Sequence, residues 1–357
     1  MSLHLRKMCI FAACKFIVMK KLKFILLASF AFVICSCSNK VDLYSDKGDS
    51  TIVYMMLDTD ADTNFVKITK SFVGNANEMA QNYDACNYKV GEIDVKLVHD
   101  KFEIPMYPIQ KWIPYNPNSM FYSGCYQTYY YTTAKLVSGD KYKLVITRND
   151  GVVVTSEART IDNFEISTPS VDQKINFTAS SFKVIWVNRN VHGEFKTNAA
   201  MFEVAAYFRY EELQPGATEW VEKEIRWTLG KGLSDDLYDS KYGYYFLPYT
   251  PKSLFDIIGT DIYLKNNSPQ GVQRKIKKVR YEITAIGDEF YDYLIINNSS
   301  SAIQDTPEYT NIENGIGLMS ARVSHSLKVI VNEISRKKIV EDFPDYGFIY
   351  DPNDPTD

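Results

Sequence analysis

From residue 51 onward apolar residues recur mostly at every second position, and this period constrains the fold more than any other feature of the chain. Successive side chains on a strand point to opposite faces, so alternation marks a half-buried strand, whereas a helix needs spacings of three and four. Tyr142, Leu144 and Ile146 alternate with Lys141, Lys143 and Thr147, and Asn149-Asp150-Gly151 supplies a tight turn into Val152-Val153-Val154. Asp-Gly tolerates the positive φ of such a turn, so the segment reads as a β-hairpin. Thr51–Leu57 and residues 65–72, 92–98 and 128–137 add strands. About seven short strands with turn signals predict an immunoglobulin- or fibronectin-like sandwich over residues 51–161.

Residues 162–172, with Pro169 and several Ser and Thr, read as a linker. Residues 173–345 then begin again with strands. Trp186 in 183–187 reads as a core anchor; Phe202, Val204, Ala206 and Phe208 alternate with Glu203, Tyr207 and Arg209; residues 222–229 and Val279, Tyr281, Ile283 and Ala285 continue the pattern. Two helices interrupt it. Thr250-Pro251 is a cap with proline at the first helical position, Leu254, Phe255 and Ile258 line one face, and Gly259 ends the helix. Asp288 caps the other, with Phe290, Tyr293 and Leu294 at helical spacing. The expected fold is mainly β: a sandwich, then an α+β half in which a largely antiparallel sheet is packed by two short helices. Residues 346–357 read as a tail.

Lys20-Lys21-Leu22-Lys23 precede an apolar run over 24–34 and then Cys35-Ser36-Cys37. The run is too short for a bilayer, which needs about 20 apolar residues, and it has the proportions of a secretory signal. The box Ile34-Cys35-Ser36-Cys37 resembles the lipobox of bacterial lipoproteins. That resemblance implies a signal peptide over 1–36, Cys37 carrying acyl chains such as palmitate, and a lipidated tether over 37–50. Cys35 is the rival site, disfavoured by large Ile34 before it, and Met19 offers an alternative start. Ser38-Asn39-Lys40 places no aspartate after the cysteine, which resembles an outer-membrane sorting signal and leaves periplasmic or surface facing open.

The full chain has 40 basic and 44 acidic residues. Without 1–36 it loses Arg6, Lys7, Lys15, Lys20, Lys21 and Lys23, leaving 34 basic against 44 acidic and a net charge of −10. That balance argues against nucleic acid, which requires a basic footprint. Cys9, Cys14 and Cys35 leave with the signal, so Cys86 and Cys125 remain either as a disulfide or as two separately buried thiols. No C-x-x-C occurs and His99, His192 and His325 lie far apart, so no zinc site and no cofactor is expected.

Four features are candidates for chemistry. Asp58, Asp60 and Asp62 alternate as in a calcium loop, although Thr63 and Thr69 stand where an EF-hand needs glycine and glutamate; an acidic hairpin loop is the simpler account. Trp112, Tyr115, Tyr122 and Tyr126 belong to one aromatic cluster, and Tyr244 and Tyr245 to a second. Such rings suit a glycan or peptide ligand, or else fill the core. Residues 311–317 pack Asn-Gly and Gly-x-Gly before a strand, where glycine allows positive φ or a close backbone approach; a tight turn locking the final strand is the reading. His99 beside Asp100 is a poor dyad, because neighbours on a strand face opposite ways. No nucleophile elbow, metalloprotease helix or phosphate loop is present, so no catalytic residues are assigned.

Three segments carry a further resemblance: Val66-Lys67-Ile68-Thr69-Lys70-Ser71-Phe72 leading into Asn75-Ala76-Asn77-Glu78-Met79-Ala80; Tyr142-Lys143-Leu144-Val145-Ile146 with Gly151 and Val154-Thr155-Ser156-Glu157; and Asn311-Ile312-Glu313-Asn314-Gly315-Ile316-Gly317-Leu318. Together they resemble a family of Bacteroidota envelope lipoproteins catalogued as domain of unknown function 4249. The resemblance implies a two-part β-rich fold and company with outer-membrane nutrient receptors, and it carries over no catalytic residue. The expectation is an outer-membrane lipoprotein acting as a non-catalytic binding or accessory subunit. A structural or adhesive surface protein and an envelope hydrolase are the alternatives.

Overall fold

In the computed structural model, which describes residues 50–71, 86–114, 125–189, 196–264, 270–298 and 309–352, the alternating segments form strands and the alternation sets the buried face. Contacts divide the chain into Met1–Asp46, which lies outside the described residues with the tether and Cys37, and Lys47–Asp357. The first half holds β1 (Thr51–Leu57), β2 (Asn64–Lys70), β3 (Ile93–His99), β4 (Phe102–Pro105), β5 (Tyr107–Ile113), β6 (Cys125–Thr132), β7 (Lys141–Arg148) and β8 (Val153–Arg159). They form two layers, β1-β2-β6-β5 and β4-β3-β7-β8. Val53, Met55, Val66 and Ile68 of one layer and Val95, Leu97, Leu144 and Ile146 of the other are buried in the same hydrophobic core. The chain changes layer at Met106, whose N–H donates to the Val95 carbonyl just before β5 joins β6. The expected hairpin is β7–β8, with Gly151 at φ +85°.

The second half holds β9 (Phe164–Thr168), β10 (Lys174–Ile175), β11 (Phe182–Asn188), β12 (Met201–Leu213), β13 (Val221–Leu233), α1 (Ser234–Leu237), β14 (Tyr238–Asp239), β15 (Tyr244–Tyr249) and α2 (Ser253–Leu264). It continues with β16 (Gln273–Ile276), β17 (Val279–Ile286), α3 (Asp288–Asn298), β18 (Gly315–Val331), α4 (Glu333–Asp342) and β19 (Phe348–Ile349). β14-β15-β11-β9 is a separate four-stranded sheet. Its Trp186 and Tyr245 pack against Phe202 of β12, with ring centroids 5.1 Å away in each case. The fold is therefore mainly β, with an α+β C-terminal part.

β18 joins the halves. Gly315 to Ala321 run parallel to β1, and Arg322 to Val329 run antiparallel to β17, so one eleven-stranded sheet extends through residues from both halves. Just before β18, Glu313 exchanges backbone hydrogen bonds with Thr155 of β8, Ser156 Oγ donates to the Asn311 carbonyl, and Asn314 Nδ2 donates to the Val153 carbonyl. The segment 311–317 thus reaches the edge of one layer of the first sandwich before entering the other. Two glycines permit this. A Cβ on Gly317, at φ +124°, would lie 2.0 Å from the Val53 carbonyl oxygen, and one on Gly315 would lie 2.7 Å from that of Thr51. The expected tight turn is a close backbone approach to a strand far away in sequence.

Several boundaries differ from expectation. Residues 162–172 are not a linker: they contain β9, and Asp162 is buried, with its backbone N–H donating to Asn198 Oδ1 and its carboxylate accepting the Asn198 N–H. The polar composition there reflects an outward face. Gly259 does not end α2, which runs to Leu264; the ring of Phe343 lies 3.1 Å from where a Cβ would sit, so the glycine makes room for packing. The helices α1 and α4 were not expected, although Asn332 caps α4 by accepting the Ser335 N–H at 2.9 Å. Residues 346–349 are no tail, since β19 pairs with β16.

Gly317→Ala should be among the most damaging single substitutions in the chain, costing about 3 kcal/mol or more because backbone must move. Gly151→Ala, with positive φ but open space, should cost about 1 kcal/mol. Urea unfolding of both variants checks the difference.

Candidate ligand-binding surface

The aromatic strands β5 and β6 lie at one end of the large sheet, and β5 hydrogen-bonds to β6 alone among the described strands. Register places Phe65 opposite Tyr131, Tyr131 opposite Tyr107, and Tyr129 opposite Ile109, all on the face turned away from the core. The rings make a row: Tyr107–Tyr131 centroids are 6.3 Å apart, Tyr131–Phe65 6.1 Å and Phe65–Tyr129 6.5 Å. Lys111 Nζ sits 3.5 Å from the Phe65 centroid, a cation–π contact in the middle of that row. The other face of β5 carries Trp112, which meets Tyr126 edge-on at 5.1 Å. Trp112 and Tyr126 are 55% and 58% exposed and Tyr107 is 57% exposed, so β5 offers rings on both faces.

The edge at the other end is built differently. β13 pairs with β12 and presents Glu222, Glu224 and Arg226, which ion-pair with Arg209, Arg280 and Glu203. Charges on an edge strand block pairing with other chains. β5 has one lysine and one proline for the same purpose.

The remaining expected site residues separate. Tyr115 and Tyr122 lie outside the described residues. Tyr245 is core: it is 1% exposed, stacks on Trp186, and its hydroxyl accepts the Thr197 N–H at 2.8 Å. Tyr244 faces outward, with Tyr242 stacked on it at 5.6 Å and Phe246 beside it, while Lys183 and Lys241 lie over Phe246 and Tyr242. Strand alternation through the consecutive aromatics Tyr244, Tyr245 and Phe246 explains the split. Cys86 is a free, buried thiol whose pKa burial raises, and the side chain of Cys125, its candidate partner, lies outside the described residues. The three acids of the calcium candidate take separate partners. Asp62 pairs with Lys135 at 2.9 Å, Asp60 approaches His325 at 3.5 Å, and Asp58 accepts the Asp60 N–H. Among the described residues no group of three or more His, Cys, Asp and Glu is placed to hold a metal.

His99 bonds Asp140, not Asp100, through Nε2 at 2.9 Å and stacks on Tyr142. Among the described residues no hydroxyl or thiol is hydrogen-bonded to His99. Asp140 borders a cleft of about 570 Å³ lined also by Lys141, Glu157, Arg159 and Glu289. Its charges are largely satisfied internally, since Lys141 pairs with Glu157 and Arg159 Nε donates to the Gly139 carbonyl. Burial raises the Glu289 pKa, against a 2.8 Å hydrogen bond from Ser320.

Sequence reasoning missed the buried ion pair Glu212–Arg274, 2.7 Å apart with both side chains almost fully enclosed. Burial opposes ionisation of Glu212, but hydrogen bonds from Lys223, Arg274 and Gln214 outweigh it and hold the carboxyl below its ordinary range. Arg274 also donates to the Tyr346 carbonyl, tying the C-terminal segment to β16. The signal was Glu212 continuing the inward phase of Phe208 and Tyr210.

A family model described as a domain of unknown function (DUF4249) matches residues 40–327. The chain belongs to this family. No curated protein matches it. Among solved structures it is similar to a chain of a cytokine receptor complex, 9% identical over 79% of this chain and 99% of that one, with TM-score 0.21. It is also similar to the SGBP-B of a Bacteroides ovatus mixed-linkage glucan utilization locus in complex with a mixed-linkage heptasaccharide, 9% identical over 57% of this chain and 87% of that one, with TM-score 0.14. At such TM-scores neither likeness bears on fold or function.

Arg274→Met should cost about 3–5 kcal/mol, because Glu212 would remain buried with less compensation. The exposed change Arg226→Ala should cost under about 1 kcal/mol. In the parent, the Glu212 contribution is present above the ordinary carboxylate range and is lost as pH falls through its depressed pKa, so acid unfolding curves should converge for parent and Arg274→Met. Tyr130 tests the opposite end of the scale. Its hydroxyl is buried without a hydrogen-bond partner among the described residues, and burial, with Glu92 and Tyr88 nearby, pushes its pKa up to about 12. Tyr130→Phe should therefore be neutral or stabilising by up to about 1 kcal/mol at pH 7. Because the raised pKa makes Tyr130's contribution full below pH 10 and lost as pH climbs toward 12, the variant should lose less stability over that interval in alkaline denaturation.

Proposed function

We propose that the protein is a non-catalytic binding or accessory lipoprotein of the bacterial outer membrane, tethered through acylated Cys37 and working beside a nutrient-uptake receptor. The observation that carries this reading is the contrast between the edges: β13 is shielded by ion-paired charges, whereas β5 projects Trp112, Tyr126 and Tyr107 into solvent. Exposed aromatic area of this kind is costly in a monomer and useful at an interface, because a rigid ring buries much surface with little loss of side-chain freedom.

Full-length tagged protein purified from detergent-solubilised membranes should bring down an outer-membrane transporter identified by mass spectrometry. The double variant Trp112→Ala/Tyr126→Ala should reduce that recovery about tenfold or more, since exposed aromatic anchors contribute most of the energy in such contacts. Recovery of no transporter by the parent would remove the reading.

A further inference from the structure

Resting on that reading, we infer that the outward face of β2, β6 and β5 binds a single chain of an acidic polysaccharide. Register puts Phe65, Lys67, Tyr129, Tyr131, Tyr107 and Lys111 on one face of β2, β6 and β5, and no carboxylate stands at a paired position of that face from β1 to β5. The ionisable charges at these positions are two lysines, on a chain whose overall balance is acidic. The acids of the β1–β2 loop are engaged: Asp62 by Lys135, Asp60 by His325 and Asp58 by a backbone N–H. Lys111 stands among the rings, 3.5 Å from Phe65 and 5.6 Å from Tyr129. A carboxylate bound there would meet an ammonium group partly stripped of water, where its attraction is stronger than in bulk.

The rings specify the rest of the ligand. A sugar presents apolar C–H faces and hydroxyl rims, which match a tyrosine ring and its hydroxyl. Neighbouring rings in the row are inclined by 56°, 43° and 84°, so they form ribs and not a plate. Ribs suit one twisted chain whose successive residues turn, and they exclude a flat crystalline polysaccharide surface. The ligand class is thus a soluble polymer of uronic acids.

Binding of full-length protein to polygalacturonate is measured by affinity electrophoresis and calorimetry, with dextran as neutral polymer and poly-glutamate as acidic peptide. Polygalacturonate should bind, and salt should weaken it. Lys111→Met should weaken it about tenfold, and Lys111→Arg should retain it. Tyr107→Ala, at an exposed ring, should also weaken it. Absence of polygalacturonate binding, equal binding of dextran, tighter binding of poly-glutamate, or an unchanged Lys111→Met would each overturn the assignment. If dextran or poly-glutamate binds and depends on Tyr107, the broader binding role stands and the acidic glycan falls. If no polymer binds and the parent recovers no transporter, both fall.

Discussion

The parallel contact between β1 and the start of β18 is the constraint on which the rest of the structure depends. Parallel strands cannot be joined by a short turn, and this pair joins Thr51–Leu57 to Gly315–Ala321, with most of the chain between them. It also requires backbones closer than a side chain allows, which Gly315 and Gly317 make possible. Once formed, it fixes the first sandwich from two sides, since Glu313 is bonded to β8 in one layer while β18 runs along β1 in the other. The same strand then continues into β17 and supplies Met319, Ala321 and Val323 to the core. Long-range pairing of this kind makes folding slow, and it makes the two halves share one hydrogen-bonded frame.

That frame determines which surfaces are left over. On the β12–β13–β17 side, Arg226, Arg209 and Arg280 pair across strands with Glu203, Glu222 and Glu224, and Arg280 also pairs with Glu282 of its own strand, so the outward face is neutralised where it stands. Such pairs add little stability at an exposed surface, and their effect is to keep the sheet soluble and unavailable to other strands. At the far end the pattern is aromatic. Trp112 and Tyr126 occupy the core-side face of β5 and β6 yet remain more than half exposed. Leaving those rings in water forgoes hydrophobic burial that a shorter strand would not have put at stake.

Much of the architecture was legible because alternation is local. Phe202, Val204, Ala206 and Phe208 are all fully buried, and Thr51–Leu57, Val279–Ile286 and the β7–β8 hairpin stand where period two put them. What failed was whatever depends on a distant partner. Asn311-Ile312-Glu313-Asn314-Gly315 announces a special backbone, but nothing local says that Gly317 will meet Val53. Glu212 can be seen to occupy an inward position, but its neutraliser, Arg274, comes from a strand 62 residues later. In 242–249 five of eight residues are aromatic, three of them consecutive, so composition hid the phase that buries Tyr245 and leaves Tyr244 facing outward.

The same reasoning explains why an aromatic count is a weak guide to a binding site and a register is a strong one. Trp186, Phe202 and Tyr245 are as aromatic as Tyr107, Tyr131 and Phe65, yet the former interlock inside a core and the latter ride on an outward face. Recognition needs rings held rigidly by neighbours that are themselves fixed, and a paired β-strand supplies this more reliably than a loop. β6 is held by β2 on one side and β5 on the other, so Tyr129 and Tyr131 are set by two ladders, while Tyr107 and Trp112 are set by one. Rigidity therefore decreases toward the edge as exposure increases. On the outward face this leaves Phe65 and Tyr131 as the more firmly held rings and Tyr107 as the one freest to adjust, so a ligand on the proposed surface would be oriented by the former and accommodated by the latter.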